Sequence, residues 1–377
     1  MTRASEGERR RLNDTFAALC RIESPFGREG ACAGYVRSQL EPIGVAVAED
    51  DAAAPSGAEC GNLLARIEGA SDRSLLLCAH LDTVVPRAPV APLLVDGGWV
   101  NANDGILGAD NKAAVAVLLE VARRFAGADR PAVGLELVFT VSEENALAGA
   151  KEFDAASLRS DFGYVFDHAT AIGEIVLASP TYYRLEAEFR GAAAHAGIRP
   201  QDGRSAVLAA ARAVAALRLG RVDEETTANV GRIDGGGVST NVVPEQCRLE
   251  AEARSLDAGK VEALVAEMVD HAHDAANATE CDVDVSTQRL FDGYRTRPGA
   301  PAVSAAERAL RACGYEPRHI VTGGGSDANV LQAAGFQCVN LANGTERNHE
   351  PDERVSVAAL EGMLDVTFEL LAAAAEC

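Results

Sequence analysis

The sequence has few lysines, no paired cysteines and no long apolar run. Only three of its 377 residues are lysine, and its 35 basic side chains are outnumbered by 56 acidic ones. The resulting net charge of −21 repels the phosphates of nucleic acids and anionic membrane surfaces. We therefore expect no nucleic-acid partner and no membrane partner.

The nine cysteines are scattered singly, and no Cys-x-x-Cys pair occurs. This spacing argues against a disulfide framework and against a zinc site built from thiolates. The first residues lack the apolar core of a secretion signal, and no apolar segment approaches the roughly 20 residues that span a bilayer. The expected location is the reducing cytoplasm.

A chain of this length usually exceeds one hydrophobic core, so we expect two domains. Short apolar runs alternate with helical patterns in the first half of the chain and again after about residue 300, which is typical of an α/β domain. The runs that read as buried strands are 62–67, 74–79, 133–141, 162–166 and 338–342, and the clearest helices are 110–125 and 301–313.

The middle of the chain has a different pattern. Residues 181–191 alternate polar and apolar, as a strand with one solvated face does, and 227–237 and 247–257 are also strand-like. With helices at 204–218 and 259–275, the pattern predicts an antiparallel sheet backed by two helices. We therefore predict an α/β domain formed by 1–178 and 291–377, interrupted by a smaller α+β domain at 179–290.

Polar residues stand where the apolar strands of the first domain end or where the next helix begins. Open α/β sheets bind ligands at this edge. Each residue alone has a plain explanation as a hydrogen-bonded histidine, a helix cap or a solvated acid, but their joint occurrence predicts a site. The candidate metal ligands are His80, Asp110, Glu144, Asp167 and His349, with Glu143 beside them.

Two histidines and three carboxylates suit zinc, cobalt or manganese better than calcium. The three carboxylates Asp110, Glu144 and Asp167 supply −3 against +4 for two divalent cations, and a hydroxide would neutralise the remainder. One cation would leave the site too anionic.

Asp82 shares a strand face with His80 and could orient its imidazole. The alternative explanation is that Asp82 is a turn residue before Pro86.

Eight motifs, in this order, resemble the dizinc metallopeptidases that include peptidase T, aminoacylase and glutamate carboxypeptidase. The likeness is strongest to peptidase T-like proteins and runs from residue 24 to the last helix. The motifs are "CAHLDTV", "GADNKAAVA", "VSEENALAGA", "YVFDH", "AAAHAG", "NVVPE", "GGGSDANV" and "NHEPDERV".

This resemblance implies a zinc-exopeptidase-like catalytic domain, with helices around a mostly parallel sheet, and an inserted lid and dimerisation domain through which a homodimer forms. Asp110 would bridge two metal ions, and a cis peptide bond would follow it. Glu144 and His349 would complete one coordination sphere, and His80 and Asp167 the other. Glu143 would be the general base.

The resemblance also implies one more catalytic residue, His195, and several substrate-binding residues. His195 matches a histidine of the inserted domain that assists the carbonyl oxygen, often from the neighbouring subunit. Asn241 and Arg254 match groups that hold the substrate backbone or its carboxylate, and an arginine fork suits a carboxylate. Gly325 and Ser326, with Asp327, lie in a loop that shapes the substrate pocket.

These observations predict a hydrolase that releases amino acids from di- and tripeptides and that binds two divalent metal ions. Zinc is the expected metal, with cobalt and manganese as alternatives. Two alternatives stay open: an N-acyl amino acid deacylase or carboxypeptidase of the same family, and a non-catalytic metal-binding protein with this fold. The segment 84–109, rich in proline and glycine, either shapes a pocket wall or forms a surface hairpin.

Overall fold

The computed structural model describes residues 3–127, 130–237 and 239–376. The chain divides into two compact units. The first unit combines Met1–Ala178, Arg295–Thr322 and Ser326–Cys377, and the second combines Ser179–Tyr294 with Gly323–Gly325. The main segment of the second unit thus ends at Tyr294, just after its last long strand, whereas the sequence suggested a limit at 290.

Helices and strands alternate through most of the described chain. The helices are α1 (Glu6–Cys20), α2 (Gly30–Leu40), α3 (Ala53–Ser56), α4 (Ala109–Phe125), α5 (Ala148–Glu152), α6 (Ala206–Ala216), α7 (Ala258–Asn277), α8 (Pro301–Cys313), α9 (Asp327–Ala333) and α10 (Val357–Ala374). The strands are β1 (Val47–Glu49), β2 (Leu63–Ile67), β3 (Ser74–His80), β4 (Pro92–Val95), β5 (Gly98–Asn101), β6 (Gly134–Thr140), β7 (Phe162–His168), β8 (Glu174–Ser179), β9 (Thr181–Arg190), β10 (Gly220–Arg221), β11 (Thr226–Gly235), β12 (Gln246–Ser255), β13 (Asp282–Phe291), β14 (Tyr294–Arg295), β15 (Arg318–Val321), β16 (Cys338–Ala342), β17 (Thr345–Glu346) and β18 (Arg354–Ser356).

A mixed sheet with a parallel centre forms the first unit. Its strand order is β1-β2-β6-β3-β7-β16-β8-β14, with β15 paired to β8. The four central strands, β6, β3, β7 and β16, run parallel, whereas β2 joins β6 antiparallel. The four parallel strands therefore end at one edge of the sheet, as the mostly parallel α/β prediction requires.

The core of the first unit explains why its central strands are so apolar. In β3 every residue from Leu75 to His80 is buried, because helices cover both faces of a parallel sheet. Helix α4 is buried from Ala109 to Ala122 and packs against α1, α10 and β3. The apolar run of β3 therefore carries a histidine into a buried position at its carboxyl end.

The second unit is an antiparallel sheet in the order β10-β11-β12-β9-β13, backed by α6 and α7. Leu185, Ala187 and Phe189 are buried on one face of β9, and the residues between them are more exposed. They pack with alanines of α6 and with Leu264 and Met268 of α7. This is the α+β arrangement that the alternating pattern predicted.

The proline-rich segment before α4 forms a hairpin. Strands β4 and β5 pair antiparallel, and β5 also pairs with β18 in a separate four-stranded sheet. Trp99 of β5 packs edge-on against Phe16 and donates a hydrogen bond of 2.8 Å to Asn13. The segment thus contains a hairpin at 92–101, and its role as a pocket wall stays a prediction. Among the described helices, none has the length and apolar character needed to cross a membrane.

Candidate metal centre

The predicted ligands of the first unit converge at the carboxyl edge of its parallel strands. His80 is the last residue of β3, and Asp167 is the penultimate residue of β7. Glu143 and Glu144 follow the end of β6, and Asp110 is the second residue of α4. His349 lies in the loop between β17 and β18. Residues from five separate segments thus meet at one place.

His80 faces two carboxylates. Its Nε2 lies 3.3 Å from Oδ1 of Asp110 and 3.7 Å from Oδ1 of Asp167. Its Nδ1 lies 3.1 Å from the backbone carbonyl oxygen of Asp82, which can only accept a hydrogen bond. The proton therefore belongs on Nδ1, and the lone pair of Nε2 points between the two carboxylates, where a metal ligand requires it.

A second group of ligand atoms surrounds the other oxygen of Asp110. Nε2 of His349 lies 3.4 Å from Oδ2 of Asp110 and 2.8 Å from Oε1 of Glu144. His349 adopts a left-handed backbone with φ of 68° and is half exposed, so this side of the centre is open. The peptide bond between Asp110 and Asn111 is cis, as the resemblance implied.

The chemistry of these donors fits two divalent cations. Two triads, His80 with Asp110 and Asp167, and Asp110 with Glu144 and His349, each bring one ligand atom per residue within 4.8 Å of one another. They share Asp110. Among the described residues, the ion pairs of these carboxylates are formed with histidines and with no lysine or arginine. The mixed nitrogen and oxygen set suits zinc, cobalt or manganese.

Glu143 stands beside the two triads. It forms a third group with His80 and Glu144, in which one ligand atom of each residue lies within 4.8 Å of the others. Burial, and then the charge of Asp167, raises the pKa of Glu143 well above its ordinary value. A raised pKa makes a carboxylate a better proton acceptor, which suits a general base.

The crowded carboxylates also affect the other ligands. Burial and the charge of Asp110 raise the pKa of Asp167 to about 8. Hydrogen bonds to Asp110 and Glu144 raise the pKa of His349 to about 10. In the absence of cations, protons are therefore held by the same groups that would bind metal, and cation binding must release them.

Asp82 contacts more than the imidazole that it was predicted to orient. Its Oδ1 lies 3.5 Å from Nδ1 of His80. Its two oxygens also accept hydrogen bonds of 3.0 Å from the backbone N–H groups of Glu143 and Glu144. Asp82 therefore links the strand that carries the predicted ligand His80 to the loop that carries the predicted base Glu143.

Sequence reasoning missed three buried residues that support the centre. Oε1 of Glu29 accepts hydrogen bonds from the backbone N–H and the hydroxyl of Ser142, at 3.1 and 3.0 Å. Asn340 exchanges two hydrogen bonds with the backbone of Asp167. The carboxylate of Glu353 accepts from three N–H groups around Asp110. Only Glu353 lies in a quoted motif, "NHEPDERV", which could have drawn attention to it.

The second unit holds four of the residues predicted to act on or bind the substrate, namely His195, Asn241, Arg254 and Gly325. His195 is exposed and forms an isolated bridge with Val242, and the N–H of Ala196 donates to the carbonyl of Asn241. His195 and Asn241 are therefore neighbours. Arg254 stacks over Tyr182, with its guanidinium carbon 4.2 Å from the ring centroid. Their substrate roles stay predictions.

The glycine-rich loop is divided between the two units. Gly325 belongs to the second unit, where a side chain would collide with the ring of Phe291. Ser326 and Asp327 belong to the first unit and are buried; Ser326 forms a capping box with Asn329 at the start of α9. Asp327 accepts a hydrogen bond of 2.5 Å from Thr140. Substrate contact by Ser326 stays a prediction.

Comparison with known families yields two matches. A model described as a peptidase dimerisation domain matches residues 181–280, which lie in the second unit. A model described as peptidase family M28 matches residues 62–199, which include His80, Asp110, Glu143, Glu144 and Asp167.

Several relatives resemble the chain over nearly its whole length. An aminopeptidase PepT from Bacillus cereus is 35% identical, with a TM-score of 0.85 over 97% of this chain and 99% of that one. A tripeptidase from Staphylococcus aureus is 32% identical, with a TM-score of 0.91 over 98% and 99%. A succinyl-diaminopimelate desuccinylase of a Methylobacterium species is 28% identical over 94% of this chain and 93% of that protein.

Proposed function

The chain belongs to the peptidase T-like family of metallopeptidases, which hydrolyse peptides, and we propose that it releases the N-terminal amino acid from di- and tripeptides. The observation that carries this proposal is the pair of ligand triads that share Asp110, with the carboxylate of Glu143 beside them. The names of the two solved relatives, an aminopeptidase and a tripeptidase, support short peptides as substrates.

We propose that His80, Asp110 and Asp167 hold one divalent cation and that Asp110, Glu144 and His349 hold the other. Zinc is the proposed metal, with cobalt and manganese as substitutes that the same donors accept. Two such cations, when bound, supply a water molecule of lowered pKa and polarise the scissile carbonyl group. Reconstitution of metal-free protein with each ion, followed by activity measurement, tests the choice of metal.

Glu143 performs the proton transfers in this proposal. Its carboxylate accepts a proton from the attacking water and later delivers it to the nitrogen of the leaving amino group. Burial and the charge of Asp167 raise its pKa, which favours the protonated form that must exist between the two transfers. Asp82 holds the backbone of Glu143 in place. His195 stays a predicted donor to the carbonyl oxygen.

A second candidate is a deacylase that removes the acyl group from N-acyl amino acids. The full-length similarity to a succinyl-diaminopimelate desuccinylase favours it. The proposed cations and Glu143 would serve both amide bonds, so the distinction lies in what the substrate carries on its amino side.

A matched panel of substrates separates the two candidates. Di- and tripeptides with a free amino terminus are compared with the same peptides after N-acetylation and with N-succinyl amino acids, using metal-loaded protein. The aminopeptidase proposal predicts hydrolysis of the free-amine peptides and little of the acylated forms. Preference for the acylated substrates would replace it by the deacylase.

We also propose a homodimer formed through residues 181–280, on the basis of the match to a peptidase dimerisation domain. Size-exclusion chromatography with light scattering should give twice the mass of the chain.

The eight described cysteines are free thiols, which supports a reducing compartment such as the cytoplasm. Fractionation of the source cells tests that location.

A further inference from the structure

Glu353 is a buried acid outside the proposed ligand set. It lies just before β18, four residues after the ligand His349, and is 1% exposed. It belongs to neither ligand triad. A buried carboxylate needs several hydrogen-bond donors to offset the loss of water, so its partners indicate its purpose.

Within the described part of the chain, all of the hydrogen bonds that the carboxylate of Glu353 accepts come from the backbone around Asp110. Oε2 accepts from the N–H groups of Leu107 and Gly108, both at 2.8 Å, and Oε1 accepts from the N–H of Asp110 at 2.9 Å. The first N–H groups of a helix have no acceptor within it. One distant carboxylate therefore satisfies three donors, two just before α4 and one in its first turn.

The backbone that Glu353 holds is irregular. Gly108 adopts a left-handed φ of 75°, and Asp110 and Asn111 depart from helical φ and ψ although they lie within the first turn of α4. The helix ladder alone does not hold the backbone of Asp110 in this conformation. An external acceptor is what fixes the N–H of Asp110, and with it the direction in which the side chain leaves the backbone.

We propose that Glu353 is a positioning residue that fixes Asp110 so that its two carboxylate oxygens can serve two cations. The proposal rests on the proposed function, since it assumes that Asp110 is shared. Residues 349–353 then have two tasks: His349 is a ligand, and Glu353 holds the ligand that both sites share. A shift of a few tenths of an ångström in Asp110 would disturb both cation sites together.

A second buried glutamate provides a matched control. Glu136 is also 1% exposed, and its Oε2 accepts hydrogen bonds from the N–H groups of Arg159 and Ser160, both at 2.8 Å. It also pairs with Arg66. The backbone segment that it holds, Arg159–Ser160, carries no proposed ligand. Loss of its carboxylate removes the same kind of bond without reaching the metal centre.

The test compares Glu353→Gln, Glu353→Asp and Glu136→Gln in the full-length protein. Zinc binding to each metal-free protein is measured by competition with a chelating dye, and thermal unfolding is recorded beside it. A glutamine keeps one acceptor but turns an NH₂ group toward N–H donors. We expect zinc affinity at both sites to fall by about 10- to 100-fold in Glu353→Gln, as is typical when a residue that orients a ligand is replaced.

The controls separate positioning from general destabilisation. Glu136→Gln should bind zinc with an affinity within about threefold of wild type, since no ligand moves. This should hold even if its melting temperature falls as much as that of Glu353→Gln. Glu353→Asp keeps the charge and should fold, with an affinity between those of wild type and Glu353→Gln. Wild-type affinity in either Glu353 variant, or an equal loss in Glu136→Gln, would overturn the proposal.

The readout is independent of hydrolysis. If wild-type protein binds two zinc ions but hydrolyses no peptide, the proposed function fails while the comparison of affinities still decides the role of Glu353. If peptides are hydrolysed and the Glu353 variants bind zinc as wild type does, the positioning proposal fails alone.

Discussion

Asp110 is the residue on which both proposed cation sites depend. Its Oδ1 faces His80 at 3.3 Å, and its Oδ2 faces His349 at 3.4 Å. Asp167 and His349, in contrast, each belong to one triad that contains Asp110. Removing the shared carboxylate should therefore have a different effect from removing a ligand that serves one site.

We predict that Asp110→Ala loses both cations, whereas Asp167→Ala and His349→Ala each keep one. Elemental analysis of protein dialysed against excess zinc and then desalted gives the number of ions per chain. Retention of two ions by Asp110→Ala, or loss of both in the two other variants, would show that Asp110 is not shared as proposed.

The loop after β6 shows how buried side chains can shape a site-bearing element. Four consecutive backbone N–H groups, 141–144, donate to buried side chains in place of a sheet partner: Val141 to Asn62, Ser142 to Glu29, and Glu143 and Glu144 to Asp82. Ser142 adopts a left-handed φ of 51°. The loop is thus held in a conformation that its own residues would not prefer.

Gly149 closes this loop and permits a direct test of how rigid it is. Its N–H donates to the carbonyl of Val141, and a methyl group in its place would overlap that carbonyl oxygen. Gly149→Ala should destabilise the protein by about 1–3 kcal/mol, as overpacking typically does. Urea unfolding monitored by circular dichroism measures the change.

Gly34 provides the opposite case for the same substitution. It is exposed in α2, and an added Cβ would meet no atom within 4 Å. Gly34→Ala should stabilise the protein by about 0.5–1 kcal/mol, because alanine loses less conformational freedom in a helix. If Gly149→Ala stabilises the protein as Gly34→Ala is expected to do, the account of the loop is wrong.

The sequence predicted those helices and strands that can be recognised from the spacing of apolar residues within the element itself. Helix α8 is found at 301–313 and β16 at 338–342, as expected. Three of the proposed ligands, His80, Glu144 and Asp167, lie at or just beyond the ends of strands that were recognised from apolar runs. Strand β13 was missed because most of its residues are partly or fully exposed, so no apolar run marks it. Glu29 and Glu353 were missed because their partners lie more than one hundred residues away.

At the scale of the whole molecule, the unbalanced carboxylates couple metal binding to stability. Without cations, Asp167 keeps its proton in the folded protein up to about pH 8, although its ordinary pKa is 3.8. The folded state therefore binds more protons between these values, and stability falls as the pH rises. The pKa of His349 is raised from 6.5 to about 10. The stability that its proton contributes is therefore also lost as the pH rises, between about 6.5 and 10.

We predict that the melting temperature of the metal-free protein falls between about pH 6.5 and pH 8, whereas that of the zinc-loaded protein falls less, since the cations replace the protons. Differential scanning fluorimetry in chelator and in excess zinc, across this range, gives both curves. A metal-free protein that becomes more stable as the pH rises would contradict the protonation that the buried cluster implies.

The central claim, a two-cation centre with Glu143 as its base, is tested most directly by one paired measurement on wild type and Glu143→Gln. Metal content and tripeptide hydrolysis are determined on the same preparations. We predict two ions per chain in both proteins and a turnover that is about 100- to 10,000-fold lower in the variant. Full hydrolysis by metal-loaded Glu143→Gln, or wild-type protein that hydrolyses tripeptides with fewer than two ions bound, would contradict it.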